Sequence, residues 1–237
     1  MLPRYLLRED VVLRRVDELR PKSIVEIGCG GGEMLLTLAK RGYSGVGYDL
    51  SQVSRDHARE RLRAGGDRFQ VVDEWPSTER FDLVLLLEVV GYAPDPVAML
   101  RDCRALLAPG GSLVVTFART NSGYAVDVVQ GMRFFGGSEM RGLLREAGFD
   151  RIDLENYGFP LANALVPLMN RVHRARMEKE RGQPTAVETG LSHYSSWFKP
   201  LGVLSNRITL RPFIYAQRLF SRTELGNGFL ACASTPP

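Results

Sequence analysis

The chain has little of what marks membrane, secreted or disulfide-stabilised proteins. It contains three cysteines in 237 residues, and Cys29, Cys103 and Cys232 lie far apart with no CxxC spacing. This pattern predicts neither a disulfide framework nor a metal site, and it fits a reducing cytoplasm. No apolar run approaches the roughly 18–20 residues that a membrane helix needs. Acids and bases occur throughout the opening MLPRYLLREDVVLRRVDELR, so a secretory signal is not expected.

The chain also lacks a strong charge excess, and its small positive excess is unevenly distributed along the sequence. The net charge is +4; residues 151–237 hold 11 Lys and Arg against 6 Asp and Glu, whereas residues 1–150 hold 20 against 21. A basic last third suits an anionic or amphiphilic partner, and it equally suits a solvated surface. Because acids are mixed with these bases and no RNA- or DNA-binding module is recognised, nucleic acid is not the expected partner.

Short apolar segments alternate with helical segments along most of the chain. Strands are predicted at 24–27, 43–51, 67–75, 81–90, 112–118, 151–159 and 226–234, and helices at 4–20, 32–42, 51–66, 95–111 (ending in a turn) and 137–149. The run from Leu83 to Leu87 is apolar throughout, which is typical of a strand buried on both faces of a parallel sheet. The pattern predicts an α/β fold with a doubly wound, mostly parallel, seven-stranded sheet.

A glycine-rich segment between the first strand and the next helix carries the clearest chemical signal. The segment Glu26-Ile27-Gly28-Cys29-Gly30-Gly31-Gly32 lets the backbone turn tightly and approach a ligand, with helix amides just beyond. Dinucleotides and S-adenosylmethionine both suit such a loop. The dinucleotide pattern G-x-G-x-x-G requires glycine at position 33, where this chain has Glu33. The acidic pattern E-x-G-x-G-x-G favours the zwitterionic amino-acid end of S-adenosylmethionine.

Five motifs in order now support a resemblance to a known family. They are VEIGCGGG, YDLS, VVDEWP, FDLVLLLEVVGYAPDP and LLAPGGSLVVTF, all within residues 22–118. This region resembles the core of class I S-adenosylmethionine-dependent methyltransferases, in the broad set that includes ubiquinone-biosynthesis-like enzymes. The resemblance implies a Rossmann-like fold, S-adenosyl-L-methionine as cofactor and in-line methyl transfer to a small molecule such as a secondary metabolite. Methylation of a lipid or isoprenoid-like amphiphile, or cofactor binding without methyl transfer, remain the alternatives.

The resemblance implies roles for residues in the first two motifs. Gly28, Gly30 and the loop amides would hold the methionine moiety, with Glu26 supporting the loop. Cys29 belongs to this loop and is interpreted as a small filler residue, not a nucleophile. Asp49 ends the second strand, 21 residues after Gly28, where its carboxylate can accept both ribose hydroxyls. A purely local role for Asp49, capping the following helix, is the alternative.

The later motifs supply the remaining cofactor contacts that the resemblance implies. Leu50 would pack against the adenine, and Asp73 or Glu74 would accept from the adenine amine. Solvated loop acids are the alternative for these two carboxylates. Backbone carbonyls near Leu87 and Glu88 would receive the methionine ammonium.

Acceptor-side residues are expected at the carboxyl ends of the strands, where open α/β sheets bind ligands. We take Tyr92, Tyr124 and His193 as candidate catalytic residues, and Tyr157 ends the sixth strand nearby. Many relatives have a Glu-His pair where this chain has Gly91 and Tyr92, so a histidine role at that loop does not transfer. A base is needed only if the acceptor must lose a proton.

The long segment before the last strand is predicted to cover the acceptor. We expect one domain, made of a cofactor-binding core over residues 1–158, a helical substrate lid over 159–225, and the last strand and tail over 226–237. If the sixth strand is parallel and the last antiparallel, the segment between them leaves the sheet on the ligand side. Its mixture of apolar and basic residues also suits an amphiphile or a peripheral membrane contact, although anchoring to the core explains the apolar residues equally well.

Overall fold

The computed structural model describes residues 3–120, 132–179 and 208–234. Within these ranges the strands are β1 (Ile24–Ile27), β2 (Gly45–Tyr48), β3 (Phe69–Val71), β4 (Phe81–Leu87), β5 (Leu107–Ala118), β6 (Arg151–Tyr157) and β7 (Gly228–Ser234). The helices are α1 (Pro3–Leu19), α2 (Glu33–Lys40), α3 (Gln52–Leu62), α4 (Pro96–Ala105), α5 (Gly137–Glu146), α6 (Leu161–Lys179) and α7 (Arg211–Leu219). No helix in these ranges is long and apolar enough to cross a membrane.

The seven strands form one sheet in the order β3-β2-β1-β4-β5-β7-β6. Strand β7 runs antiparallel to both β5 and β6, and the other neighbours pair in parallel. The predicted doubly wound, mostly parallel, seven-stranded sheet is therefore confirmed. Strand β1 lies between β2 and β4, and Ile27 pairs with Tyr48 on one side and Leu86 on the other. The carboxyl ends of these three strands consequently meet at one edge, which we call the carboxyl edge.

Strand β4 is buried on both faces, as its unbroken apolar run predicts. Leu83, Leu85 and Leu87 belong to the cluster that includes residues of α1, α2 and α3. Val84 and Leu86 belong to the opposite cluster, with residues of α4 and α5. The alternation follows from the two-residue period of a strand, and helices on both faces remove each side of β4 from water.

The structure shortens several predicted strands, begins β5 earlier than predicted, and does not test the predicted lid. Strand β5 begins at Leu107 rather than at residue 112, because Phe81 pairs with Leu107 before the register shifts at Leu83. The predicted insertion over 159–225 contains α6 and α7 in its described parts. It leaves β6 after Tyr157 and returns at Gly228, which pairs with Tyr157, so both of its ends lie at the carboxyl edge. Residues 180–207 lie outside the described ranges, and the lid stays a prediction.

Candidate functional site

The glycine loop after β1 combines one packed glycine with one that faces open space. Gly28 and Gly30 have φ angles of +73° and +51°, a conformation that glycine adopts without strain. A Cβ on Gly28 would lie 2.3 Å from Cγ2 of Val89, so this glycine lets the loop pack on the residues after β4. A Cβ on Gly30 would meet nothing within 4 Å. The loop therefore presents backbone, with free space beside it, at the carboxyl edge.

Asp49 joins the end of β2 to the glycine loop. Its Oδ2 accepts a hydrogen bond from the Gly30 amide at 2.9 Å, and its Oδ1 accepts one from the Ser51 amide at 2.9 Å. The N-cap of α3 is Ser51, whose hydroxyl accepts from the Ser54 amide, so Asp49 is not the capping residue. Because an ionised carboxylate has about four acceptor positions, each oxygen of Asp49 can still accept from a ligand hydroxyl.

Glu26 is buried at the end of β1 with an unused hydrogen-bond acceptor. Its side chain is 4% exposed, and its Oε2 has no hydrogen-bond partner. Burial raises the pKa of Glu26 to about 8; Arg8 opposes the rise, while Glu33 and Asp49 add to it. A buried oxygen without a partner is costly, and a donor from a bound ligand would satisfy it.

Cys29 fills space between the loop and β2. It is buried, and burial raises the pKa of its thiol well above the ordinary value. Its Sγ lies 3.1 Å from the position that a Cβ on Gly47 would occupy. A buried, protonated thiol is inert, which agrees with a filler role.

The predicted adenine contacts lie after β2 and β3. Leu50 is 87% exposed, so its side chain is open to a ligand. Asp73 Oδ1 accepts from Arg55 Nε at 3.1 Å and pairs with Arg59 Nη2 at 2.8 Å. The hydrogen bond from Arg59 is the main reason why the pKa of Asp73 is lowered. Asp73 is thus engaged by two arginines, and Glu74 is exposed.

Glu88 follows β4 in a strained backbone conformation. Its φ of +62° lies in the left-handed region, which non-glycine residues occupy mostly where the surrounding structure enforces it. The carboxylate accepts from Arg4 Nη2, at 3.2 Å to Oε1 and 3.1 Å to Oε2, and from the hydroxyl of Tyr157. Burial favours the neutral acid, but Arg4 and Arg8 outweigh it, and the pKa of Glu88 is lowered. Glu88 is therefore a fixed anion at the carboxyl edge.

Helix α1 brings further polar groups to this edge that the sequence analysis missed. Arg8 places its guanidinium 5.0 Å from the ring centroid of Tyr5, and its Nε is buried without a hydrogen-bond partner. The hydroxyl of Tyr5 is also buried without a partner, and burial raises its pKa. Arg8 acts on the pKa values of both Glu26 and Glu88, so its charge lies near the ends of β1 and β4. The helical spacing of residues 4, 5 and 8 is the signal that could have been noticed.

Of the three candidate catalytic residues, one lies in the described part of the chain. Tyr92 is in the short 3-10 turn Val90–Tyr92, is 44% exposed, and has its pKa raised by burial and by Glu88. Tyr124 and His193 lie outside the described residues. The described residues contain no group of His, Cys, Asp and Glu side chains that could hold a metal ion.

Comparisons with known proteins agree with this arrangement. The profile of the family described as "Methyltransferase domain" matches residues 4–154. The ubiquinone biosynthesis O-methyltransferase of Actinobacillus pleuropneumoniae serotype 5b (strain L20) is 28% identical over 134 residues, covering 52% of this chain and 57% of that protein. The protein of the same name in Coxiella burnetii (strain Dugway 5J108-111) is 30% identical over 129 residues, covering 51% and 55%. The chain thus matches little more than half the length of these relatives.

Two solved structures share the fold over nearly the whole chain. The cyclase SpnF superposes with a TM-score of 0.62 at 18% identity, covering 94% of this chain and 80% of that one. Phosphoethanolamine N-methyltransferase 2 of Haemonchus contortus, in complex with S-adenosyl-L-methionine, gives 0.60 at 19% identity, covering 97% and 52%. At these identities the likeness shows the fold alone. The family profile, which spans more than half of the chain, shows that this protein belongs to the methyltransferase domain family.

Proposed function

We propose that the chain binds S-adenosylmethionine at the carboxyl edge of β1, β2 and β4 and transfers its methyl group to a small-molecule acceptor. The observation that carries the proposal is the hydrogen bond between the Gly30 amide and the Asp49 carboxylate. It brings a backbone turn with open space beside Gly30 next to a carboxylate that has acceptor positions left for two ribose hydroxyls. The family membership of the chain supports the same assignment.

The residues around this contact fit both ends of the cofactor. On the adenosine side, Asp49 would accept from the ribose and the exposed Leu50 would pack against the adenine, with Asp73 or Glu74 near its amine. On the methionine side, Arg8 would pair with the carboxylate, because its guanidinium is charged and its Nε lacks a hydrogen-bond acceptor. The unpartnered Oε2 of Glu26 is an acceptor on the same side.

The end of β4 would receive the positive charge of the cofactor. The backbone carbonyls of Leu87 and Glu88 are the proposed acceptors for the methionine ammonium. The carboxylate of Glu88, kept ionised by Arg4 and Arg8, adds a negative charge at the same edge. Opposite charge at short range in a partly buried site stabilises a bound cation more than it would in water.

The protein's contribution to the chemistry would be positioning and exclusion of water. The bound cofactor would supply a methyl group activated by its attachment to a positively charged sulfonium sulfur. Holding donor and acceptor in line can supply about 7–11 kcal/mol of the barrier. Tyr92, close to Glu88 and partly exposed, is the proposed residue for orienting the acceptor, and Tyr124 and His193 stay candidates from the sequence. A lid over 159–225 would exclude water.

One observation favours a narrower version of this function. Helix α7 and the turn before it expose Ile208, Tyr215 and Leu219 beside Arg211 and Arg218, which suits an amphiphilic acceptor such as a lipid or isoprenoid. A second candidate function is use of the cofactor without methyl transfer, since SpnF, which shares this fold, is named as a cyclase.

The cofactor claim is tested by ligand-induced stabilisation. S-adenosylhomocysteine should raise the melting temperature of the wild type by mass action on the folded state. The variant Asp49→Ala should show a much smaller shift, whereas Asp67→Ala, which removes an exposed carboxylate in the turn before β3, should behave like the wild type. No shift for the wild type at saturating ligand would overturn the proposal.

Methyl transfer itself needs a second measurement. A cofactor labelled in its methyl group, incubated with the protein and a pool of small molecules, should yield a labelled product that mass spectrometry detects. The product should be missing with Asp49→Ala and present with Asp67→Ala. Binding of the cofactor without any labelled product from polar or lipid pools would favour the role without methyl transfer.

A further inference from the structure

The guanidinium of Arg55 joins three segments around the proposed adenosine site. Arg55 lies on α3 and is only 9% exposed. Its Nη1 donates to the carbonyl of Asp49 at 2.7 Å and to that of Leu50 at 3.1 Å. Its Nε donates to Asp73 Oδ1 at 3.1 Å, and its Nη2 donates to Gln52. One side chain thus holds the turn after β2 and the turn after β3 together.

The chemistry of arginine explains why this position acts on the turn. A guanidinium has five donors in a rigid plane, so it can fix several acceptors at once, and it keeps its charge when buried. The carbonyls of Asp49 and Leu50 belong to the turn between β2 and α3, outside the ladder of the sheet. Holding both carbonyls fixes the backbone from which the Asp49 carboxylate and the Leu50 side chain project.

The side chain of Leu50 projects from the same turn. It is 87% exposed, so it is open to a ligand. Directly behind it, Arg55 holds its carbonyl oxygen. The contact that fixes the turn therefore also fixes the backbone from which this exposed side chain projects.

We propose that Arg55 is a positioning residue for the adenosine half of the cofactor. It acts through the Asp49–Leu50 turn and through Asp73, and it sets how tightly the ribose and adenine are held. The inference rests on the proposed cofactor site and deepens it, since Arg55 lies in none of the motifs that carry the family resemblance.

Arg59 provides a matched control on the same helix. It lies one turn after Arg55, and its described hydrogen bonds and ion pairs go to Asp73, Asp56 and the carbonyl of Val71. Both arginines therefore hold Asp73, but Arg55 is the one whose described hydrogen bonds reach the carbonyls of Asp49 and Leu50. Comparing variants of Arg55 and Arg59 therefore separates the effect of fixing the Asp49–Leu50 turn from the effect of holding Asp73.

The test measures binding of two ligands by calorimetry. S-adenosylhomocysteine carries both halves of the cofactor, and 5′-methylthioadenosine lacks the amino-acid end. We expect Arg55→Gln to weaken both ligands by at least 10-fold and by the same factor, Arg59→Gln to weaken them less than 3-fold, and Arg55→Lys to fall between. Arg8→Gln should weaken S-adenosylhomocysteine alone, which shows that the ligand pair distinguishes the two halves. In the methyl-transfer assay, Arg55→Lys should raise the KM for the cofactor with little change in kcat.

The possible outcomes distinguish a failure of the role of Arg55 from a failure of the proposed cofactor binding. Equal losses for the Arg55 and Arg59 variants, or a loss for Arg55→Gln that spares 5′-methylthioadenosine, would overturn the role of Arg55 while leaving cofactor binding intact. A wild type that binds neither ligand would overturn both. If urea unfolding shows that Arg55→Gln does not fold, the same binding comparison is made between Arg55→Lys and Arg59→Lys.

Discussion

The hydroxyl of Tyr157 hydrogen-bonds to the carboxylate of Glu88, although β5 and β7 lie between their strands in the sheet. The ring of Tyr157 reaches this far because it passes over Gly228, where a Cβ would lie 2.4 Å from the ring carbon Cζ. Arg4 completes the contact by donating to the same hydroxyl at 3.2 Å and to Glu88. The beginning of α1 is thereby tied to the ends of β4 and β6.

Replacing Tyr157 with phenylalanine should destabilise the protein in a pH-dependent way. The loss of a hydrogen bond to a charged group costs about 1.5–3 kcal/mol of unfolding free energy. The pKa of Glu88 is lowered in the folded protein, so its stabilisation is present above the pKa of an unfolded glutamate and is lost as the pH falls through the folded value. The difference between wild type and Tyr157→Phe in urea unfolding should therefore be full at pH 7 and shrink below about pH 4.

Tyr43→Phe is the control for the missing hydroxyl. The hydroxyl of Tyr43 donates to Asp17 at 3.0 Å in an exposed pair, and Tyr43 precedes the amino end of β2, away from the carboxyl edge. Its removal should change the unfolding free energy by no more than about 0.5 kcal/mol at neutral pH. A Tyr157→Phe variant as mild as Tyr43→Phe would contradict the importance of the contact with Glu88.

Gly228 should tolerate alanine poorly because of Tyr157. A Cβ at this position would lie 2.4 Å from Cζ and 2.5 Å from the hydroxyl oxygen of Tyr157, so the ring must move and the contact with Glu88 must break. Overpacking of this kind costs about 1–3 kcal/mol. By contrast, Gly142→Ala in α5 meets nothing within 4 Å and should stabilise the protein by about 0.5–1 kcal/mol. Thermal unfolding of the two variants should move in opposite directions.

Much of the fold could be predicted from the sequence because it follows from local periodicity. The unbroken apolar run of β4, the alternation of strands and helices, and the glycines after β1 each express a short-range rule. The approach of Asp49 to the glycine loop also follows, since parallel neighbours end at one edge of the sheet. The type of sheet and this half of the candidate site could therefore be predicted.

The contacts that complete the site could not be predicted because they join residues that are distant in the sequence. Arg4 reaches Glu88 across 84 residues of sequence, and Tyr157 reaches it across 69. The reach of Tyr157 depends on its pairing with Gly228, and the two-residue period of a strand shows which face a side chain takes but not which residue lies opposite it. The left-handed backbone of Glu88 is likewise imposed by its surroundings, since the residue type does not favour it.

Glu26 should make stability fall as the pH rises. Its pKa is raised from 4.5 to about 8 in the folded protein, so the stabilisation is full below the pKa of an unfolded glutamate and is lost as the pH rises through about 8. The variant Glu26→Gln lacks this titration. In urea unfolding from pH 5 to 9, its stability relative to wild type should increase with pH, by up to about 1.4 kcal/mol per unit, and level off above pH 8.

An exposed glutamate gives the baseline for that measurement. Glu74→Gln changes the same functional group on the surface, and its stability relative to wild type should stay constant over pH 5 to 9. If the unfolding free energies of Glu26→Gln and wild type changed in parallel with pH, the carboxyl of Glu26 would be solvated or paired in solution. That result would contradict the buried, unpartnered arrangement.

Leu50 and Leu219 offer a matched pair for testing the adenine contact. They are 87% and 83% exposed, and Leu219 lies at the end of α7. Because water already reaches both side chains, Leu50→Ser and Leu219→Ser should each change the unfolding free energy by less than about 0.5 kcal/mol. Only Leu50→Ser should weaken S-adenosylhomocysteine, by about 1–2 kcal/mol, because the base would lose an apolar surface to pack against. Equal affinities in the two variants, measured by calorimetry, would remove Leu50 from the cofactor site.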